Sequence, residues 1–346
     1  MQNISRSRWK VVLNWVTFIA LAVLIFAVRH QIWETVQNLT RVNLFALPLM
    51  LVWQILNYNA YANLYRDYFR ILGERIRYRS MLRVSLELNF INNVFPSGGV
   101  SSFSYFSLRM KDADVPASKS TVVQLAKFIT IFVSFQFLLL IGLFLLAVAG
   151  HANRVTILVS GSLTTLSVVA TLGLAFVIGS QRRINSFFTF MARLINRVIY
   201  LFLRHSPEAI NIEKVRDSFF RLHENYVLLK SDYRVLKRPL MWALVANLTE
   251  VLTVYTVYIA FGYFVNPGAV ILAYAVANFA GLISVLPGGI GVYEALMTAV
   301  LAASGISPGV SIPVTIMYRV LNMSIQLPPG YYFYHKNLKY HQNAHA

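Results

Sequence analysis

Long apolar runs alternate with short basic segments along the whole chain. A helix needs about 20 mostly apolar residues to cross the hydrocarbon of a bilayer. Runs near or above this length are residues 11–28, 44–64, 122–149, 155–178, 240–265 and 312–332. Two more apolar segments, 84–108 and 269–306, are interrupted by Pro and Gly. The pattern predicts an all-α polytopic membrane protein with about six full spans and two oppositely oriented re-entrant or broken helical hairpins, equivalently about eight membrane segments.

The composition supports a membrane protein and excludes other classes. Apolar residues make up 57% of the 346 residues and charged residues 13%, whereas soluble domains have about 45–50% and about 25%. So much apolar surface excludes both a soluble fold and intrinsic disorder. A chain with no Cys has no disulfides, thiolate metal sites or thiol nucleophiles. We expect one integral membrane domain over residues 1–346.

The net charge of +18 is concentrated in a few segments. These segments hold 26 of the 31 Lys and Arg residues: 1–10, 65–83, 109–120, 179–239 and 333–346. The positive-inside rule assigns them to the cytoplasm, with both termini inside and the protein in the cell (inner or cytoplasmic) membrane. Membrane lipids, mainly anionic ones, account for the basic charge better than nucleic acid does. We expect lipids as partners and leave a homo-oligomer open.

The longest predicted non-spanning segment is residues 179–239. Its first part has apolar residues at helical spacing with arginines beside them, the pattern of an amphipathic helix on an anionic leaflet. We interpret 179–239 as a basic, amphipathic, helical insert in the cytoplasm. The apolar positions are Ile184, Phe187, Met191, Leu194, Val198 and Leu201.

The two interrupted segments differ in their flanking charges. Basic residues lie on both sides of 84–108, whereas 269–306 lies between two uncharged Pro-Gly loops. The first hairpin is therefore expected to open to the cytoplasm and the second to the outside. Both carry an Asn-Phe pair followed by Pro and Gly-Gly, as expected of an inverted repeat whose broken helices meet near the midplane.

Broken helices in a membrane expose backbone N–H and C=O groups. These groups cost several kcal/mol each in hydrocarbon, so they must line a wet or protein-walled cavity. Helices that restart after Gly99 and Gly289 would direct N-terminal amides at an anion, most simply a phosphate. The alternative is an ordinary kinked helix used only for packing.

Five charged residues lie at membrane depth, where charge is costly and marks a function or a structural pair. They are Glu87, Lys127, Glu250, Glu294 and Arg319. Lys127 is near a helix end and can snorkel to the surface. Glu250 and Arg319 fit either a structural ion pair or substrate binding. Glu294 fits a helix-dipole role, or contact with Arg319, a cationic headgroup or a proton.

Signatures of catalysis are missing from the sequence. There is no HExxH motif and no Walker loop, and Asp112-Ala113-Asp114 has no nucleotide-binding domain around it. We therefore expect a protein that is not an enzyme and that has no cofactor or metal.

Three motifs resemble the lysylphosphatidylglycerol synthase/flippase transmembrane family. Pro287-Gly288-Gly289-Ile290-Gly291-Val292-Tyr293-Glu294 resembles the family's PGGIGxxE signature, and Phe95-Pro96-Ser97-Gly98-Gly99 resembles its first Pro-Gly segment. Tyr318-Arg319, followed by Pro328, Pro329 and Gly330, is similar to its final helix. The resemblance covers nearly the whole chain. Many relatives have Gly-Glu after the first motif; this chain has Gly99-Val100-Ser101, so no acid is carried over there.

The resemblance implies a flippase-like domain that moves lipids between leaflets. In the best-known member, this domain carries aminoacylated phosphatidylglycerol and is fused to a soluble aminoacyl transferase domain. We expect this chain to lack that synthase domain.

We predict a lipid translocator (flippase) that moves a phospholipid or a polyprenyl-phosphate-linked lipid through a polar cavity between the two hairpins. The alternatives are a secondary transporter of a small anionic solute and a membrane scaffold for an envelope-lipid biosynthetic enzyme. The glycines would supply backbone donors, Arg319 would bind phosphate, and Glu250 and Glu294 would bind a cationic headgroup or a coupling proton. Candidate substrate-binding residues are Asn89, Asn92, Asn93, Pro96, Gly98, Gly99, Glu250, Pro287, Gly288, Gly289, Gly291, Glu294 and Arg319.

Overall fold

A computed structural model describes residues 2–95, 100–150, 154–180, 182–183, 186, 233–283 and 289–343. These residues form α-helices and no strand, which confirms the all-α prediction. The helices, numbered here in chain order, are α1 (Gln2–Leu39), α2 (Pro48–Ile71), α3 (Tyr78–Val94), α4 (Val100–Lys111), α5 (Ala117–Val148), α6 (Arg154–Ile178), α7 (Lys237–Ala260), α8 (Pro267–Ile283), α9 (Val292–Ala303) and α10 (Pro308–Asn343).

Four of the described helices are long and apolar enough to cross a membrane, within α1, α5, α6 and α7. Helix α2 contains most of the predicted span 44–64, from Pro48 onward, and α10 contains the span 312–332; both helices are more polar. Their polarity has a structural cause, because buried amides such as Gln54 and Gln326 face other helices instead of lipid. The prediction of a polytopic membrane protein is therefore confirmed.

Helix α7 lies at the centre of the bundle and is joined to its neighbours by buried polar contacts. Asn57 on α2 donates its Nδ2–H to the carbonyl of Ala246 at 2.8 Å. Asn247 donates to Ser134 Oγ on α5 at 2.8 Å. Such contacts orient helices where no hydrophobic force distinguishes a neighbouring helix from lipid. By contrast, α1 and α6 lie at the periphery and expose most of their apolar side chains.

The loops before the two hairpins lie at opposite ends of α5. Glu74, in the loop before α3, forms an ion pair of 2.7 Å with Lys119 in the first turn of α5. Asn266, in the loop before α8, donates to the carbonyl of Leu145 in the last turns of α5 at 3.2 Å. The prediction of two oppositely oriented hairpins is thus confirmed.

Each interrupted segment folds back on itself. Helix α3 ends at Val94 and α4 begins at Val100, and Arg109 on α4 reaches back to Glu87 on α3 at 3.2 Å. Helices α8 and α9 likewise pack along each other. The alternative of one kinked helix is therefore wrong for both segments. The turns 96–99 and 284–288 lie outside the described residues.

Glycines allow the hairpin helices to cross their neighbours closely. A Cβ added to Gly330 on α10 would lie 2.6 Å from Phe90 Cβ and 2.7 Å from the carbonyl oxygen of Leu86, both on α3. A Cβ on Gly268, at the start of α8, would collide with the carbonyl oxygen of Gly142 on α5. Each hairpin is thus held against a long helix at backbone contact distance.

Two predictions about local structure have different outcomes. The first span was predicted to end at residue 28, but α1 continues to Leu39. Beyond residue 28, His30 Nδ1 lies 3.1 Å from Glu34 Oε1 at helical i,i+4 spacing. The predicted insert 179–239 lies mostly outside the described residues, and its amphipathic helix remains a prediction.

Candidate functional site

A cavity of about 300 Å³ lies where the inner ends of the two hairpins meet. Phe95 at the end of α3 and Gly289 just before α9 both line it. Residues of α2, α3, α4, α5, α7, α8, α9 and α10 supply the remaining described walls. This volume is at the small end of the range for ligand sites, about 300–1,000 Å³.

The described lining is rich in amides and phenols and contains few charges. Amide and phenol groups are neutral donors and acceptors, so they can hydrogen-bond a polar ligand whatever its net charge. The charged lining residues are Lys127, Glu250 and Arg319. The amides are Asn57, Asn89, Asn92, Asn93, Asn247, Asn278, Asn322 and Gln326. The tyrosines are Tyr58, Tyr61, Tyr65, Tyr274, Tyr293 and Tyr318.

The predicted polar face of the first hairpin lies at the cavity. Asn89, Asn92 and Asn93 all line it, on the last turns of α3. Asn89 donates to the hydroxyl of Tyr58 on α2 at 2.6 Å, and Asn93 donates to Asn89 Oδ1 at 2.8 Å. The position of this face agrees with its helical spacing, and substrate binding by it stays a prediction.

Glu294 and Arg319 form a buried ion pair beside the cavity. Arg319 Nε lies 3.2 Å from Glu294 Oε1, and each side chain is 11% exposed. The second carboxylate oxygen accepts the backbone N–H of Gly291 at 2.7 Å. Gly291 has φ +84°, which favours glycine, at the start of α9. A side-chain carboxylate thus already occupies the helix start that was predicted to receive a substrate anion.

Glu250 lies near the middle of α7 and faces the cavity. Its carboxylate accepts long hydrogen bonds from Gln54 Nε2 at 3.5 Å and from the Tyr318 hydroxyl at 3.4 Å. Gln326 donates to Gln54 Oε1 at 2.9 Å and extends this network to α10. Among the ion pairs of the described residues, Arg319 has Glu294 as its carboxylate and Glu250 has no basic partner. The suggested pairing of Glu250 with Arg319 is therefore wrong.

Lys127 is a cavity residue that sequence reasoning did not select. It lies ten residues after the start of α5, about 15 Å along the helix axis. Its Nζ is 5.5 Å from the ring centroid of Tyr61, 5.7 Å from that of Tyr65 and 4.8 Å from that of Phe128. In the sequence, the tyrosines on α2 at positions 58, 61 and 65 could have indicated a polar cavity here, because their spacing places them on one helix face.

The remaining predicted residues are in three situations. Glu87 does not line the cavity; it is 1% exposed and bonded to Arg109 and to the Tyr105 hydroxyl, so it joins α3 to α4. Gly291 and Glu294 are not among the lining residues; Glu294 pairs with Arg319 and accepts the backbone N–H of Gly291. The predicted residues that lie outside the described part of the chain are Pro96, Gly98, Gly99, Pro287 and Gly288.

Metal-binding groups are not clustered in the described part of the chain. No three His, Asp or Glu side chains there are close enough together to hold a metal ion. The expectation that the protein works without a metal or cofactor stays a prediction.

The family profile described as "Lysylphosphatidylglycerol synthase TM region" matches residues 12–330. The chain belongs to this family. The matched range includes every described residue that lines the cavity. The described walls of the cavity therefore lie within the part of the chain that matches the lysylphosphatidylglycerol synthase transmembrane family.

Two archaeal proteins are similar to this chain. A UPF0104 membrane protein of Pyrococcus horikoshii is 22% identical over 253 residues, covering 72% of this chain and 74% of the relative. A UPF0104 membrane protein of Methanothermobacter thermautotrophicus is 24% identical over 125 residues, 36% of this chain and 37% of the relative. Both relatives are named as membrane proteins, in agreement with the long apolar helices of this chain.

Proposed function

We propose that this protein is a lipid translocator that moves a phospholipid or a polyprenyl-phosphate-linked lipid between leaflets. The observation that carries the proposal is the cavity between two hairpins that begin at opposite ends of α5. A headgroup crossing the membrane would exchange hydrogen bonds with water for hydrogen bonds with the cavity wall. The acyl or polyprenyl tails would stay in the surrounding lipid.

The polar headgroup is the part of a lipid that resists crossing the membrane. Moving one unpaired polar group into hydrocarbon costs about 4–8 kcal/mol on the cyclohexane scale. The amides and phenols of the cavity can replace the lost water, because each offers donors and acceptors to a passing group. A wall of this kind would lower the free-energy barrier that many headgroups meet when they cross the bilayer. Arg319, with Glu294 behind it, and Glu250 would then orient the charged parts.

The proposed topology follows from the charges. The end of the bundle with Lys119 and Glu74 also holds Arg83, whose guanidinium lies 5.7 Å from the Phe333 ring near the end of α10. The positive-inside rule favours this end as the cytoplasmic one, with both termini there and the protein in the cell membrane. Membrane lipids would then be its partners on both faces.

The direct test is lipid scrambling in liposomes. Wild-type protein reconstituted with a fluorescent phospholipid should expose inner-leaflet label to an impermeant quencher faster than protein-free liposomes do. Asn92→Trp, which fills the cavity, should abolish most of this acceleration. Asn92→Ser and Gln37→Trp are the matched controls, since Ser keeps the cavity open and Gln37 is exposed on α1. Arg319→Ala and Glu294→Gln should be slower than wild type. Equal rates with and without wild-type protein would reject the proposal.

The same liposomes separate the alternatives. Uptake of a small phosphorylated solute along a proton gradient, without lipid movement, would identify a secondary transporter. The absence of both lipid movement and solute uptake would favour a scaffold. Chromatography of the recovered lipids should show them chemically unchanged, and a converted lipid would instead identify an enzyme.

A further inference from the structure

We infer that Lys127 is the phosphate contact of the cavity. This inference rests on the proposed function and specifies where the charged part of the substrate binds. Lys127 lies in the cavity wall on α5, whereas the other cavity cation, Arg319, lies on α10. The ligand chemistry is a phosphate ester, supplied either by a lipid headgroup or by a phosphorylated solute.

The first support is that no described carboxylate pairs with Lys127. No carboxylate among the described residues lies within the 4.0 Å of an ion pair from its Nζ, and none of these residues forms a hydrogen bond with it. A charged side chain at membrane depth normally pairs with another group or faces a pathway. An anionic ligand would supply the missing partner.

The second support is the contrast with Arg319. Glu294 Oε1 lies 3.2 Å from Arg319 Nε, so that charge is already compensated within the protein. The backbone N–H of Gly291 is also bonded to Glu294. A phosphate at Arg319 would have to compete with a buried carboxylate, whereas a phosphate at Lys127 would not.

The third support is the aromatic surround of Lys127. Tyr61, Tyr65 and Phe128 have ring centroids between 4.8 and 5.7 Å from Nζ. Cation–π contacts hold an ammonium group in place without neutralising its charge. The three rings therefore position the amine at the cavity and leave its hydrogens available to phosphate oxygens.

The charge balance of the cavity limits the ligand further. Lys127 is the one positive charge of the described lining that has no carboxylate partner, and the Glu250 carboxylate in the same lining disfavours each negative charge that a ligand brings. A phosphodiester carries a single negative charge, so it fits better than a doubly charged phosphomonoester. Lysine is a common phosphate ligand that acts as a point charge.

Binding in neutral detergent, with no bilayer present, tests the inference. The protein is titrated with short-chain phosphatidylglycerol and with diacylglycerol of the same chain length, and binding is followed by native mass spectrometry. Wild type should prefer the phosphodiester lipid. Lys127→Met should weaken phosphatidylglycerol binding about 10-fold or more, since a charge-assisted hydrogen bond is lost. Lys127→Arg should keep it within about threefold, and Lys111→Met is the control because Lys111 is exposed at the end of α4.

Glycerophosphoglycerol, the soluble phosphodiester left when both acyl chains are removed from phosphatidylglycerol, distinguishes the two sources. If only the lipid shows Lys127-dependent binding, the phosphate belongs to a lipid headgroup. If the soluble phosphodiester shows it as well, a phosphorylated solute is accepted; both results support the contact. Equal wild-type affinity for phosphatidylglycerol and diacylglycerol would overturn the inference, as would equal affinities of wild type and Lys127→Met.

Two controls keep the outcomes separate. Gel filtration checks that each variant is monodisperse, and Lys127→Gln replaces Lys127→Met if the latter does not fold. If wild type fails to move lipid but shows Lys127-dependent binding, the proposed function fails and the contact stands. If lipid moves but Lys127→Met binds phosphatidylglycerol as tightly as wild type does, the proposed contact fails and the proposed function stands.

Discussion

Arg319 on α10 and Glu294 on α9 lie 3.2 Å apart, and the same carboxylate also receives the backbone N–H of Gly291. The Glu294 side chain thus anchors the second hairpin to α10 and caps the N-terminus of its own helix, α9. The first hairpin has a related contact between Glu87 and Arg109, which joins its two arms. In each hairpin, a buried carboxylate paired with an arginine therefore fixes how a hairpin helix packs against its neighbour.

Removing one partner of the Glu294–Arg319 pair should destabilise the protein. Glu294→Gln leaves an uncompensated arginine that is 11% exposed, at a cost of about 3 kcal/mol. Thermal unfolding in detergent should show a lower Tm for Glu294→Gln and for Arg319→Met. The double variant should lose clearly less than the sum of the two single losses, because neither charge is then left alone. Additive losses would contradict a direct pairing.

Adding a single methyl group at Gly330 should also lower stability. Alanine normally stabilises a helix by about 1 kcal/mol relative to glycine. At Gly330, however, the new Cβ would lie 2.6 Å from Phe90 Cβ, so Gly330→Ala should push α3 away from α10. Gly161→Ala on α6 is the control, since nothing lies within 4 Å of its Cβ. The melting temperature should fall for Gly330→Ala and stay equal or rise for Gly161→Ala; the same response in both would disprove the close crossing.

Glu250→Gln separates folding from charge recognition. An amide can keep both contacts of the carboxylate, to Gln54 and Tyr318, so the melting temperature should change little. If Glu250 binds a cationic headgroup, liposomes with an aminoacylated phospholipid should lose most of their lipid movement. Movement of phosphatidylglycerol should be largely retained. Glu34→Gln is the control, because Glu34 contacts His30 on α1 outside the cavity. If Glu250→Gln moves both lipids as fast as wild type does, Glu250 does not recognise the headgroup.

The topology can be tested with single cysteines, since the chain has none of its own. Ala113 lies exposed between α4 and α5, and Phe264, between α7 and α8, is 82% exposed. An impermeant maleimide should label Phe264→Cys in intact cells and Ala113→Cys only after permeabilisation. Labelling of both from the same side would mean that the hairpins do not start from opposite faces.

Local sequence patterns predicted the features that depend on short-range chemistry. The Pro and Gly motifs located both hairpins, and the spacing of Asn89, Asn92 and Asn93 placed them on one face. Pairing across helices was harder, because Glu294 had several acceptable partners in the sequence. Only the packing of α9 against α10 selects Arg319.

Lys127 shows most clearly why the rest could not be predicted. A lone lysine near the end of an apolar run fits snorkelling as well as it fits a cavity. The difference depends on where α2 places Tyr61 and Tyr65 relative to α5, which is a matter of tertiary packing. The length of α1 beyond residue 28 was missed for a related reason, since the polar residues there remain helical and His30 contacts Glu34.

The contacts of α5 at both of its ends constrain how the protein can move. The loop before one hairpin is tied to its first turn through Lys119, and the loop before the other is tied to its last turns through Leu145. Gly142 and Gly268 add a backbone crossing near the second of these. If the protein moves lipid by opening the cavity first to one side and then to the other, we expect α5 to stay in place while the two hairpins tilt against it in turn.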